Sequence, residues 1–336
     1  MTAPEHFLVV GCGSIARRHM NNIRAAYPRA TVDCISASGR ELRPDELPEG
    51  VIACASLAQA LARRPAFAIV ASPAPLHAEQ AATLLSGGLT VLVEKPLSDS
   101  LARLAAHAEP LHEYRDKLVV AYNLRFMPSA VIARQVIESG QLGAIHSVAS
   151  EVGQYLPDWR PASDYRNNVS AQRALGGGVL LELSHELDYL QWLFGAMRSV
   201  YCQARTTGSL QLDVEDTVDA LMTAERGTVI NLHMDFLQRA PVRRCRVVAE
   251  HATLEWDILN NRVALHEGGG RTTLLHDDPG YDRNRMYVDE LTHFVDVAQA
   301  QSTPFVTLEQ GLETLKLVEA LKRSSATGAS VALKDL

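Results

Sequence analysis

Short continuous apolar runs and helical periodicity alternate over the first third of the chain. Phe7-Leu8-Val9-Val10, Ala66-Phe67-Ala68-Ile69-Val70-Ala71, Leu89-Thr90-Val91-Leu92-Val93 and Leu118-Val119-Val120-Ala121-Tyr122 have the length and composition of strands buried on both faces. Another strand is expected over 31–37, with helices reaching Tyr27, following Pro75 and spanning 100–115. This alternation predicts an α/β fold on a doubly wound parallel sheet over residues 1–122. From residue 123 the pattern changes. A helix is expected near 128–139 and an extended run near 145–155, and Gly176-Gly177-Gly178 opens a helix reaching Phe194. Between 199 and 276, β-type runs follow one another through turn signals such as Glu225-Arg226-Gly227 and Asn260-Asn261. Strands without intervening helices predict an open, mainly antiparallel sheet. Two amphipathic helices, near 284–300 and 308–325, close the chain. Residues 123–336 are thus expected as an α+β domain, its last helices able to pack back on the first domain.

Composition narrows the class. A chain of 336 residues is about two domains long, and its net charge of −7 with no basic tract argues against a nucleic-acid binder. No apolar run has the length of a membrane span, and the first residues lack the basic-then-apolar plan of a signal peptide. The five cysteines are scattered, with no C-x-x-C pair, which fits reduced thiols in a cytoplasmic protein and neither disulfides nor a metal cage. An open sheet in the second domain suggests a homodimer or homotetramer.

The chemistry begins at the end of the first strand. Gly11-Cys12-Gly13-Ser14-Ile15-Ala16 is the G-x-G-x-x-A form of a dinucleotide fingerprint. Gly11 makes the tight turn, Gly13 admits a pyrophosphate, and Ala16 allows close helix–strand packing. The N–H groups of the helix opening at Ser14, Ile15 and Ala16 then face phosphate. At the end of the second strand, where NAD enzymes usually carry an acid for the ribose hydroxyls, the chain reads Ser36-Ala37-Ser38-Gly39-Arg40. Ser38 and Arg40 would welcome a 2′-phosphate, so the cofactor is expected to be NADP or NAD with a lean to NADP; Asp33 and Glu41 keep NAD in play.

The strand ending at Val93 runs into Glu94-Lys95-Pro96. A Lys at the carboxyl edge of an open α/β sheet lies where ligands bind, and Pro96 biases it toward extended backbone. Its ammonium there can polarise a hydroxyl or carbonyl. An isolated Lys-Pro pair would read as a surface turn; beside a dinucleotide fingerprint it reads as chemistry.

With these motifs in place, the chain resembles the glucose–fructose oxidoreductase/inositol dehydrogenase (Gfo/Idh/MocA) family from Phe7 to the final helix. The resemblance implies a Rossmann domain followed by an α+β domain. It also implies a turn over the nicotinamide at Ala71-Ser72-Pro73 with His77, and a domain-crossing segment at Tyr122-Asn123-Leu124-Arg125-Phe126. Glu94, Lys95 and Asn123 are then expected near the cofactor and Arg125 near the substrate. The second-domain match is Gly176 to Asp188, where the resemblance makes His185 the partner of Lys95 in acid–base catalysis. Glu182 precedes His185 by three residues, where the commoner family form has Asp four before, and that spacing would keep both on one helix face. His185 could otherwise be a core histidine, and Asp188 could orient it or cap local structure.

Tyr155, Trp159, Arg160, Tyr165 and Arg166 crowd the segment after the first long strand of the second domain. Aromatic faces stack on sugar rings and Arg forks suit phosphate or carboxylate, so the segment either meets a substrate or packs on another subunit. The implied activity is hydride transfer between nicotinamide and a secondary hydroxyl or ketone of a sugar derivative, an anionic or nucleotide-linked one if this segment faces the cleft. Rival readings are a dinucleotide-sensing regulator, an enzyme using tightly bound NAD for transient oxidation, and a reductase of a double bond or imine.

Overall fold

The computed structural model describes residues 5–336, so the first four residues of the expected first domain lie outside it. Its helices are α1 (Ser14–Ala26), α2 (Leu57–Ala62), α3 (His77–Ser86), α4 (Leu101–Ala105), α5 (Ala108–Glu113), α6 (Pro128–Glu138), α7 (Val179–Glu182), α8 (His185–Phe194), α9 (Asn284–Ala298) and α10 (Leu308–Thr327). Two compact units divide the chain. The first runs to Asn123 and takes in Asn284–Leu312; the second holds Leu124–Arg283 and Glu313–Leu336.

In the first unit, β1 (His6–Val10), β2 (Thr31–Ile35), β3 (Val51–Ala53), β4 (Phe67–Val70), β5 (Thr90–Glu94) and β6 (Leu118–Ala121) form one sheet in the order β3-β2-β1-β4-β5-β6. Every pairing is parallel. Strands β1, β4 and β5 are buried almost throughout, which is why they read as unbroken apolar runs. Helix α9 closes one face: Phe294 meets Phe67 edge-on, and the amides of Asn22 and Asn284 bond each other. The helix expected over 100–115 is broken at Ala106-His107. Pro110 has no N–H to give the Ala106 carbonyl, and its ring clashes there, so the second helix must start afresh.

The second unit is a nine-stranded sheet. Its strands are β7 (Ile145–Gly153), β8 (Met197–Arg205), β9 (Thr217–Ala224), β10 (Val229–Asp235), β11 (Val242–Ala249), β12 (Ala252–Asp257), β13 (Arg262–Glu267), β14 (Thr272–Asp277) and β15 (Val331–Ala332). They lie in the order β14-β13-β12-β11-β7-β10-β9-β8-β15, antiparallel except for β7 with β10. Helices α6, α8 and α10 clothe one face: Trp256 donates to Ser129, Tyr189 bonds Ser150, and Ser324 accepts the Cys202 N–H. The other face carries the exposed positions of the strand alternation, among them Tyr201 and Leu221.

Candidate active site

Because the first sheet is parallel, the chain leaves β1, β2, β4 and β5 at the same edge, and the fingerprint, the Ser36–Arg40 segment, Ser72-Pro73 and Lys95 all emerge there. Gly11 sits at φ +114°, and a Cβ on it would collide with the Ala71 carbonyl, so only glycine lets β1 and β4 close up. Gly13, by contrast, has open space where a side chain would stand. It caps α1 in extended backbone with no side chain bonding the first turn, leaving the N–H groups around Ser14 and Ile15 without a side-chain cap. Ala16 is fully buried in the core under the sheet. Beyond β2 lies a cavity of about 300 Å³ lined by Ile35, Ser36, Ala37, Gly39, Ser56 and Leu76 among others. Open backbone at Gly13, an uncapped helix start and an adjoining cavity fit a dinucleotide; Gly13, Ser14 and Ile15 would hold its pyrophosphate.

Asp33 is not a ribose ligand. It is fully buried, gripped by His6 at 2.8 Å and Arg63 at 2.7 Å. Ser36 and Ser38 bond each other at 3.1 Å, and exposed Arg40 is forked onto Glu46. His77 is buried with both ring nitrogens 2.7 Å from carbonyl oxygens, Nδ1 on Pro96 and Nε2 on Ser72. It ties the turn after β4 to the motif after β5, and burial holds its pKa below the usual 6.5. Ser72 in turn donates to Gln80 at 2.6 Å.

Glu94 is buried with both oxygens engaged: Oε1 lies 2.7 Å from His19 Nε2 and Oε2 accepts the Lys95 N–H at 3.2 Å. Lys95 itself is half-buried. Around this pair stand residues that sequence reasoning missed. Tyr287 meets the His19 ring edge-on, lies under the Arg18 guanidinium at 4.5 Å and bonds Asn123. Glu290, one turn along α9, is buried, and neither carboxyl oxygen has a hydrogen-bond partner. The available signal was weak: His19 and Glu290 fall on the apolar faces of amphipathic helices, where a lone polar residue is more often a satisfied core group than part of a site.

In the second unit, Gly178 at φ +105° opens α7, and its missing side chain makes room for Glu215, which accepts the Leu180 N–H. The single helix expected up to Phe194 is two helices. The chain turns at Leu183-Ser184, where the Glu186 N–H bonds the carbonyl three residues back. Glu182 therefore ends one helix and His185 begins the next, so their spacing spans a turn and not one continuous helix. Arg125, expected near the substrate, is buried in a bidentate pair with Asp188 at 2.6 and 2.9 Å. Burial holds the Asp188 carboxyl above its usual range despite the Arg125 charge. Glu186, fully buried, is forked by Arg243 at 2.7 and 3.2 Å. Two arginines thus fix the first turn of α8, and half-buried His185 with it.

The 154–166 segment is held to its own unit. Trp159 packs edge-on against Phe236 and donates to the Gln154 carbonyl, Tyr165 donates to the Leu210 carbonyl, and Arg239 lies 3.6 Å over the Tyr155 ring. Arg166 forks Asp164 beside it, which lowers the Asp164 pKa. These contacts take up the Arg166 fork and cover one face of the Tyr155 ring, while Arg160 remains exposed. Among the described residues no group of three or more His, Cys, Asp or Glu is placed to hold a metal, and no helix is long and apolar enough to cross a membrane.

Fold and fingerprint define a nicotinamide-dinucleotide oxidoreductase, and comparison with known proteins agrees. A family model described as "Oxidoreductase family, NAD-binding Rossmann fold" matches residues 6–122, and the "GFO/IDH/MocA C-terminal domain" matches 131–255. The chain belongs to the Gfo/Idh/MocA family of NAD(P)-dependent oxidoreductases. D-xylose 1-dehydrogenase (NADP(+)) 2 of Haloferax volcanii is 26% identical over 78% of this chain and 78% of its own. Inositol 2-dehydrogenase 2 of Saccharopolyspora erythraea is 24% identical over 96% of this chain and 93% of its own. The WlbA dehydrogenase of Chromobacterium violaceum, solved with NADH and UDP-GlcNAcA, superposes with a TM-score of 0.81 at 20% identity, over 99% of this chain and 97% of that one.

Proposed function

We propose that the enzyme transfers hydride between a nicotinamide cofactor and a secondary hydroxyl or ketone of a sugar or sugar derivative, with Lys95 and His185 handling charge and proton. The observation that carries this reading is the bracing of Glu94 at the fingerprint's own sheet edge. A carboxylate held on both oxygens fixes the backbone from which Lys95 projects. The relatives named for D-xylose and inositol supply the substrate class. A nucleotide-linked sugar such as the one bound to the WlbA dehydrogenase is the finer alternative, with exposed Arg160 available to an anionic group.

When bound, the nicotinamide supplies the hydride acceptor or donor. The Lys95 ammonium stabilises the oxygen that turns anionic as its carbon loses hydride. His185 takes the hydroxyl proton, or returns it in the reductive direction, as an imidazole does readily near neutrality. Copies of the chain associate through the open face of the second sheet.

The test is a pair of substitutions read on two axes. Lys95→Ala abolishes turnover while dinucleotide affinity falls far less; loss of both together would make Lys95 a binding residue only. His185→Ala removes one limb of the pH–rate profile, and an unchanged profile takes His185 out of the proton transfer.

A further inference from the structure

Arg40 does not wait open for a phosphate. Its Nη1 donates to Glu46 Oε2 at 3.0 Å and to the Glu41 carbonyl at 3.0 Å; its Nη2 donates to Glu46 Oε1 at 2.8 Å and reaches the Cys12 thiol at 3.7 Å. A guanidinium has five N–H donors, and four are directed at these partners. The two parallel bonds to Glu46 have the fork geometry that a phosphate monoester would require.

Glu46 is itself held in place. It ends the short turn Pro44–Glu46, where Oε2 also accepts the Arg43 N–H at 2.8 Å. Its side chain is 20% exposed against 49% for Arg40, so the carboxylate is the better anchored partner. The Arg40 guanidinium bonded to it, together with that N–H, lowers its pKa to about 2, so it is anionic throughout the working range. The Cys12 contact places the guanidinium beside the glycine loop, and Gly39 lines the cavity beyond β2. The end of β2 is where a dinucleotide presents its ribose 2′ position in this kind of sheet.

We propose that Glu46 is a specificity-determining residue, a built-in carboxylate that occupies the Arg40 fork and so opposes binding of a 2′-phosphorylated dinucleotide while leaving NAD(H) unaffected. A 2′-phosphate must displace Glu46 and then sit near its negative charge. The Ser38/Arg40 lean toward NADP is thereby offset within the same loop, and the pair sets how far the enzyme distinguishes the two cofactors. This inference rests on the dinucleotide-binding reading of the first unit.

The experiment is a fluorescence titration of the full chain and its variants with NADH and with NADPH, each variant checked for an unchanged thermal midpoint. Glu46→Gln removes the competing charge and keeps the turn. It is expected to tighten NADPH about fivefold, the scale of a well-formed exposed ion pair, and to leave NADH unmoved. Arg40→Gln weakens NADPH alone. The double variant binds NADPH between the two single variants, because the phosphate loses its Arg40 partner and the Glu46 repulsion together. An equal shift for both dinucleotides in Glu46→Gln, or no shift for NADPH, overturns the proposal while leaving the dinucleotide reading intact. Failure of the wild type to bind either dinucleotide overturns both together.

Discussion

Glu290 and Glu94 are both buried carboxyls in the first unit, and their surroundings differ. Glu94 has an imidazole and an N–H on its two oxygens. Glu290 has neither, and burial first, with the Glu94 charge adding to it, raises its pKa well above 4.5. It is therefore carried neutral in the folded protein. The folded state then holds a proton that the unfolded chain releases above about pH 4.5, so this group's contribution to stability falls as pH rises from there. Glu290→Gln supplies a neutral side chain of the same shape. The variant is expected to melt higher than wild type in mildly alkaline buffer, the gap closing as pH drops toward 4.5. A gap independent of pH would mean that Glu290 is ionised when folded. The motif's own residues were readable because they are contiguous. His19, Tyr287 and Glu290 were not, since His19 alone lies 75 residues from the carboxylate it grips.

Among elements, the short helix α8 depends on ion pairs more than on its own propensity. Its ten residues begin at a turn without a side-chain cap, and buried Asp188 and Glu186 are each forked by an arginine from another segment. Removing one member of a buried pair strands the other charge, which costs about 3–5 kcal/mol. Asp188→Asn is thus expected to lower unfolding free energy by that order in denaturant titration, with His185-dependent activity lost alongside. Arg125→Met with Asp188→Leu recovers most of the stability. A loss below about 1 kcal/mol for Asp188→Asn would class the pair with surface ion pairs. The alternation of strands and helices was legible because the central parallel strands β1 and β4 are almost wholly apolar and buried. The break at Ala106-His107 was signalled by Pro110. The turn at Leu183-Ser184 has no glycine or proline to mark it, so the sequence read as one helix from the glycines to Phe194.

Across the whole molecule, the open face of the second sheet carries a row of charge running over strands. Asp219, His233, Glu151, Arg244, Asp257, Arg262 and Asp277 are successive cross-strand partners from β9 to β14. Alternating signs along such a row suit a second copy set against it in reverse. That order, with β10 parallel to β7 in its middle, pairs segments distant along the chain and could not be read from the sequence. His233 sits between Asp235 at 2.9 Å and Asp219 at 2.7 Å. Its hydrogen bond to Asp235 leads the causes that raise its pKa to about 9, against the opposing effect of burial. The stabilisation is complete below the ordinary value of 6.5 and is lost as pH rises through about 9, leaving Asp219 to Arg205 and Asp235 to its Leu237 and Gln238 donors. Under the proposed pairing of copies through this face, light scattering across that window is expected to show loosening at the alkaline end in wild type, and no such trend in His233→Gln. A mass independent of pH in both would detach His233 from assembly.

The central claim is tested most directly by following nicotinamide reduction while wild type and Lys95→Ala are offered NAD⁺ or NADP⁺ with aldoses, inositols and nucleotide-linked sugars. Wild type is expected to reduce the cofactor with at least one of these classes, and Lys95→Ala to bind the same cofactor without reducing it. Wild type that binds dinucleotide yet oxidises none of the three classes, or a Lys95→Ala variant that turns over at the wild-type rate, would contradict it.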